Sequence, residues 1–175
     1  MSVFYPEATP TLATTKVKVT AAIADPAAPK LATEINAVSS VDVSLTFRDW
    51  NPTMTPESGT APPRLGTREQ MPQEGRTQYE AIEVRYPYDP QADDTDPNNA
   101  AKAFMTAGTQ RDVVVRKGLD IETDFVVGDR TETWSVRCGK QIPTRSGDAQ
   151  DSFGEFEIVQ MLYPLKAEGE GVVVA

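Results

Sequence analysis

Val (17) and Thr (19) together outnumber Leu (7) about fivefold in this 175-residue chain, and that bias constrains the fold more than any other feature. β-branched side chains lose rotamer freedom in a helix and fit the pleated surface of a sheet. With 14 Pro and 11 Gly added, the expectation is a mostly-β domain with long loops. The length suits one domain with arms rather than two full cores. A domain of this size buries about 70% of its unfolded surface, enough for a core without disulfides.

Alternation locates the strands. Lys16 to Ile23 (KVKVTAAI) alternates, and after the ADPAAPK turn LATEINAV has Leu31, Ile35 and Val38 at helical spacing, which allows a short helix. Ser40 to Phe47 reads as a clean strand, with Val41, Val43, Leu45 and Phe47 facing one way and Asp42, Ser44 and Thr46 the other. Residues 49–75 hold several prolines and few apolar side chains, and read as a long Pro-rich loop. Arg76 to Tyr88 alternates again, with Pro87 placing its end at a sheet edge.

One helix is expected over about 97–107, with Asp96 as N-cap, Pro97 in the first turn and Gly108 as the left-handed stop. Its buried stripe would be Ala100, Phe104 and Ala107, with Ala101 and Met105 beside it. A short strand follows in QRDVVVRKG, then two strands joined at Gly128-Asp129, with Trp134, Val136 and Cys138 on one face. The last strand runs through SFGEFEIVQMLYPL, with Phe156, Ile158 and Leu162 opposite Glu155 and Glu157. Residues 1–15 read as an N-terminal arm, 16–165 as the domain and 166–175 as a C-terminal tail.

Composition excludes much chemistry. There is no histidine, hence no imidazole base, no Ser-His-Asp or Cys-His pair and no His-ligated metal. A single cysteine, Cys138, forbids an internal disulfide and a thiolate zinc cluster, and its phase with Trp134 makes it a small buried hydrophobe. Asp94 to Asn98 imitates the start of a calcium loop but has Asn99 where Gly belongs and Met105 where the bidentate Glu belongs. No Walker A, GxGxxG or GxSxG pattern occurs. Neither catalytic residues nor cofactors are expected.

The net charge is −9, a field that opposes tight binding to phosphate backbones. Acid is concentrated in residues 51–100 (four basic, nine acidic) and 151–175 (one basic, five acidic). No run approaches the roughly 20 apolar residues of a membrane span, and MSVFYPEATP has neither the basic start nor the apolar run of a signal peptide.

Ala22 to Pro29 (AIADPAAP), then Thr33 to Ala37 (TEINA) and an alternating strand, resemble the major tail proteins, or tail tube proteins, of long-tailed actinobacterial phages. Similar too is the order of the later pieces: the Pro-rich loop, Tyr79-Glu80, the Asp/Pro/Asn turn into a helix, Gly108, and Cys138-Gly-Lys-Gln141. The resemblance implies a β-sandwich or barrel-like subunit with one flanking helix and extended terminal arms. It further implies hexameric rings stacked into a non-contractile tail tube through which double-stranded DNA passes at ejection. Implied partners are further copies of the chain and the tape-measure, tail-terminator and distal-tail proteins. Implied locations are the virion tail and, during assembly, the host cytoplasm.

A DNA conduit must not grip its cargo. If each subunit offered one Arg-phosphate contact worth about 1 kcal/mol, a hexameric ring would hold the duplex by roughly 6 kcal/mol. Acids opposite an apolar strand face are therefore the expected lumen lining: Asp42, Glu83, Glu155 and Glu157. Trp50, Met54, Arg64, Arg68, Phe4 and Tyr5 are the expected contacts between subunits or rings. Two other readings share the composition. One is a different ring-forming tail or neck protein (tail completion or terminator), and the other is a carbohydrate-binding adhesin with Trp50 and the tyrosines as stacking platforms.

Overall fold

The computed structural model describes residues 13–48, 50–60, 72–146 and 155–175. Eight strands and one short helix carry the described chain: β1 (Thr15–Thr20), β2 (Val41–Asp42), β3 (Met54–Thr60), β4 (Pro72–Tyr79), β5 (Ile82–Pro87), α1 (Ala100–Phe104), β6 (Gln110–Lys117), β7 (Arg130–Arg145) and β8 (Phe156–Val172). Six form one antiparallel sheet in the order β2-β1-β6-β7-β8-β5, curled into a half-barrel, and β3 pairs with β4 in a separate hairpin. The mostly-β fold expected from composition is the fold observed, with one short helix.

Two cores hold the sheet. On one face Val17, Val19, Val113, Val115, Trp134, Val136, Ile82, Val84, Tyr86, Ile158 and Leu162 are buried together, covered by Ala101 and Met105 of the helical segment and by Val43, Phe47 and Trp50. On the other face, at the β1/β6 end, Ile23, Ile35, Val114, Phe125 and Val173 form a smaller core. Alternation thus read β1, β5 and β7 correctly, Trp134, Val136 and Cys138 included.

Elsewhere the structure corrects the reading. The strand expected over 40–47 shrinks to Val41–Asp42. Asp42 accepts the Ser44 amide (3.0 Å), while Ser44 Oγ accepts the Val17 amide (2.8 Å) and donates to the Val17 carbonyl (3.2 Å). These side-chain bonds, one within the turn and two to β1, take the place of a continued ladder. The chain turns, Val43 enters the core and Leu45 is left exposed.

The expected loop 49–75 contains β3 and the first half of β4, and residues 49 and 61–71 lie outside the described residues. The strand expected over 76–88 breaks at Glu80-Ala81, so Tyr79 belongs to the hairpin and Ile82 opens β5. Pro87 does end an edge strand.

The LATEINAV helix reduces to a single π turn over Leu31–Ile35, with Val38 fully exposed. The later helix is shorter than 97–107: a 3₁₀ turn over Pro97–Asn99 leads into α1. Asp96 caps it as expected, accepting the Asn98 amide at 2.8 Å. The stripe is Ala101 and Met105, with Ala107 exposed. Gly108 (φ +84°) lies beyond the helix end at Met105, and its N–H donates to the Cys138 carbonyl at 2.8 Å. It turns the chain into β6 instead of capping the helix.

The strand expected before Gly128 is a loop, because Arg116 gathers its carbonyls. The guanidinium donates to Asp120 O (2.9 Å), Thr123 O (2.7 Å), Asp124 O (2.8 Å) and Asp129 Oδ2 (3.0 Å). A backbone wrapped on a cation cannot also form a ladder. Finally, the C-terminal segment is no free tail. β8 runs to Val172 along the start of β7, Val173 is buried, and Val174 bridges to Lys30. Of the N-terminal arm, residues 1–12 lie outside the described residues.

Candidate functional site

On its second face, over β5, β8 and the end of β7, the sheet exposes Glu83, Ile142, Tyr163 and Leu165. Strand alternation puts Asp42, Glu83 and Glu157 on the face away from the main core, and Glu155 continues the phase of Glu157. Three of these acids meet. Arg85 binds Glu83 (2.8 Å) and approaches Glu157 (3.8 Å), while Arg48 approaches Glu157 (3.5 Å) and binds Glu155 (2.7 Å). This chain of three acids and two arginines spans β5, β8 and the segment that crosses the β5 edge, where the Arg48 amide donates to the Arg85 carbonyl (3.1 Å). The hydrogen bond and charge of Glu83 push the Arg85 pKa up.

Glu157 departs from the exposed lining residue expected of it. Its side chain is 3% exposed, beneath both arginines and beside Thr144. Glu83 (45%) and Glu155 (61%) stay open to solvent. Asp42 stands apart on β2, the opposite sheet edge, 3.7 Å from the buried Lys16 amine. No spacing signal could have revealed Arg48, whose carboxylate partner is 107 residues away.

Beside the charged chain lies an apolar strip. Ile142, Tyr163 and Leu165 are half in solvent, and the partly buried Val159 pairs with Ile142 and Arg85 across the strands. The other expected contacts are placed differently. Trp50 is half-buried over the main core, stacked on Phe47 (6.5 Å), which in turn stacks on Tyr86 (6.0 Å). Met54 opens β3 opposite Tyr79, whose ring meets Trp134 edge-on at 5.9 Å and anchors the hairpin to the domain. Phe4, Tyr5, Arg64 and Arg68 lie outside the described residues.

The buried titratable groups are structural. Tyr86 donates to Gln160 (2.8 Å), and Gln160 donates in turn to Met105 O (2.8 Å) and Gly139 O (2.9 Å). Burial pushes the pKa of the Tyr86 hydroxyl and of the Cys138 thiol up, holding both neutral. Among the described residues no group of three acidic or thiol side chains could hold a metal, and no helix is long and apolar enough to cross a membrane.

This arrangement of paired charges beside an apolar strip can bind and stack. No curated protein matches the sequence. A chain from the cryo-EM structure of the anti-feeding prophage (AFP) baseplate, 6-fold symmetrised, shares the fold with a TM-score of 0.51 and 10% identity, over 98% of this chain and 97% of that one. The family described as phage tail tube protein matches residues 3–175, nearly the whole sequence. The chain belongs to the phage tail tube protein family.

Proposed function

We propose that the protein is the repeating subunit of a phage tail tube, assembled as hexameric rings that stack into a conduit for double-stranded DNA. The observation that carries this reading is the family match over residues 3–175, found on a sheet that curls without closing. A half-barrel leaves two edges, β2 and β5, and edges are removed only by pairing or closure. Neighbouring copies supply the missing wall.

The open face then lines the lumen, with Glu83 and Glu155 toward the DNA and Asp42 at the junction with the next copy. Arg48 and Arg85 are held by carboxylates, which leaves them poorly placed to grip phosphate. The resemblance to tail proteins of actinobacterial siphoviruses extends the reading to a bare, non-contractile tail assembled in the host cytoplasm. There the tube would meet tape-measure, tail-terminator and distal-tail proteins. Negative-stain microscopy of the concentrated protein tests the reading. Long tubes with a regular ring repeat are expected; lone rings would favour a neck or tail-completion role, and persistent monomers would refute assembly.

A further inference from the structure

On β1, between the core residues Val17 and Val19, Lys18 points to the second face of the sheet, where the Phe125 ring of the smaller core lies 5.6 Å from its amine. That amine donates to Asn36 Oδ1 at 2.6 Å. A primary amine is thus held against a carboxamide, with the carbonyl carbon one bond behind the oxygen it touches.

Both partners are fixed by the fold. Asn36 closes the π turn over Leu31–Ile35, its amide donating to the Leu31 carbonyl (2.8 Å), and Ile35 beside it is fully buried. Thr20 Oγ1 donates to the Glu34 carbonyl (2.9 Å), and the Glu34 carboxylate accepts the amides of Ala24 (3.0 Å) and Lys30 (2.7 Å). Holding two reactants in place in this way turns an encounter into an intramolecular step.

An acid stands beside them. Asp42 of β2 is directly opposite Lys18 in the β1–β2 register, so the two side chains share a face. Its Oδ1 accepts the Ser44 amide (3.0 Å), and its Oδ2 lies 3.7 Å from the Lys16 amine. Burial pushes the Lys18 amine pKa down, against the opposing charge of Asp42, and the neutral amine is the nucleophilic form. Asn36 is exposed, which gives a leaving group a way out to solvent.

We propose that Lys18 and Asn36 join in an intramolecular isopeptide bond, with Asp42 as the proton carrier. The Lys18 nitrogen adds to Asn36 Cγ, and the Cγ–Nδ2 bond breaks. One amine proton passes through the Asp42 carboxylate to the departing nitrogen, which leaves as ammonia. The step needs no oxidant, reductant or second substrate. Its product is a covalent staple from β1 to the end of the π turn, across the smaller core. The staple forms within each copy and stands or falls independently of assembly.

Intact mass spectrometry of the full-length protein, with peptide mapping, tests the bond. The folded chain should be lighter than its sequence by one ammonia. Trypsin should release residues 17–30 joined to residues 31–48, because an amidated Lys18 resists cleavage. Lys18→Arg and Asn36→Ala should each keep the full mass. Asp42→Asn should give the same circular dichroism but form the bond about a hundredfold more slowly; formation at the wild-type rate would remove Asp42 from the step. Wild-type protein at full mass would overturn the proposal. So would a loss of ammonia that survives Lys18→Arg, since that loss belongs to a succinimide at Asn36.

Discussion

Arg116 is a large charged side chain at 1% exposure. It persists there because Asp129 and three carbonyls surround the guanidinium, with the Phe125 ring 5.0 Å away. Such a pair adds little net stability, yet removing one partner strands the other charge away from water. Asp129→Asn should destabilise the fold by about 3 kcal/mol, read as a lower urea midpoint with an unchanged slope. Nothing in the spacing of Arg116 and Asp129 announces the pair. Lys16 and Thr131 are similar cases: polar residues that alternation assigns to solvent and that the fold buries.

At the scale of elements, the loop between β6 and β7 depends on a second tie, from Lys16 to Thr123 O (3.2 Å) and Asp124 (3.1 Å). The hydrogen bond and charge of Lys16 hold the Asp124 carboxyl below its ordinary 3.8. A depressed folded pKa means stability that is present above the unfolded value and lost as pH falls through the folded one. Asp124→Asn should therefore melt below wild type at pH 7, and the gap should close as the pH drops into and below the carboxylate range. Equal melting at neutral pH would contradict the tie.

How legible these elements were depends on what holds each one. β1, β5 and β7 bury one face in the main core, so period-two patterning exposed them; Val17 and Val19, or Ile82, Val84 and Tyr86, are the signal. β3 and the first half of β4 (MTPESGT and PQEG) carry no apolar alternation, so they read as loop, and Arg76 to Tyr79 read as one strand with β5. Ser40 to Phe47 erred in the other direction. Its pattern is strand-like, but Asp42 and Ser44 captured the backbone first. That Glu155 and Glu157 lie on one side of the last strand, and Glu83 opposite the apolar face of β5, was legible from alternation, whereas their meeting and the burial of Glu157 beneath Arg48 were not, because both arise from tertiary packing.

For the whole molecule, the account is that an open sheet is completed by its own copies and presents a lumen that guides DNA without holding it. Glu83→Lys would place two cations on one strand face, in every copy around the ring. Repeated phosphate contacts of about 1 kcal/mol each add along a stack. Particles carrying Glu83→Lys should assemble normal tails but eject DNA slowly, measured as release of a DNA dye signal on triggering. Ejection at the wild-type rate would remove Glu83 from the lumen.

Cryo-electron microscopy of tubes grown from the purified protein tests the central claim most directly. The account predicts hexameric rings in which neighbouring copies complete the open sheet, with Glu83 and Glu155 inward and α1 outward. Tubes lined by α1, or a protein that stays monomeric with both sheet edges free at high concentration, would contradict it.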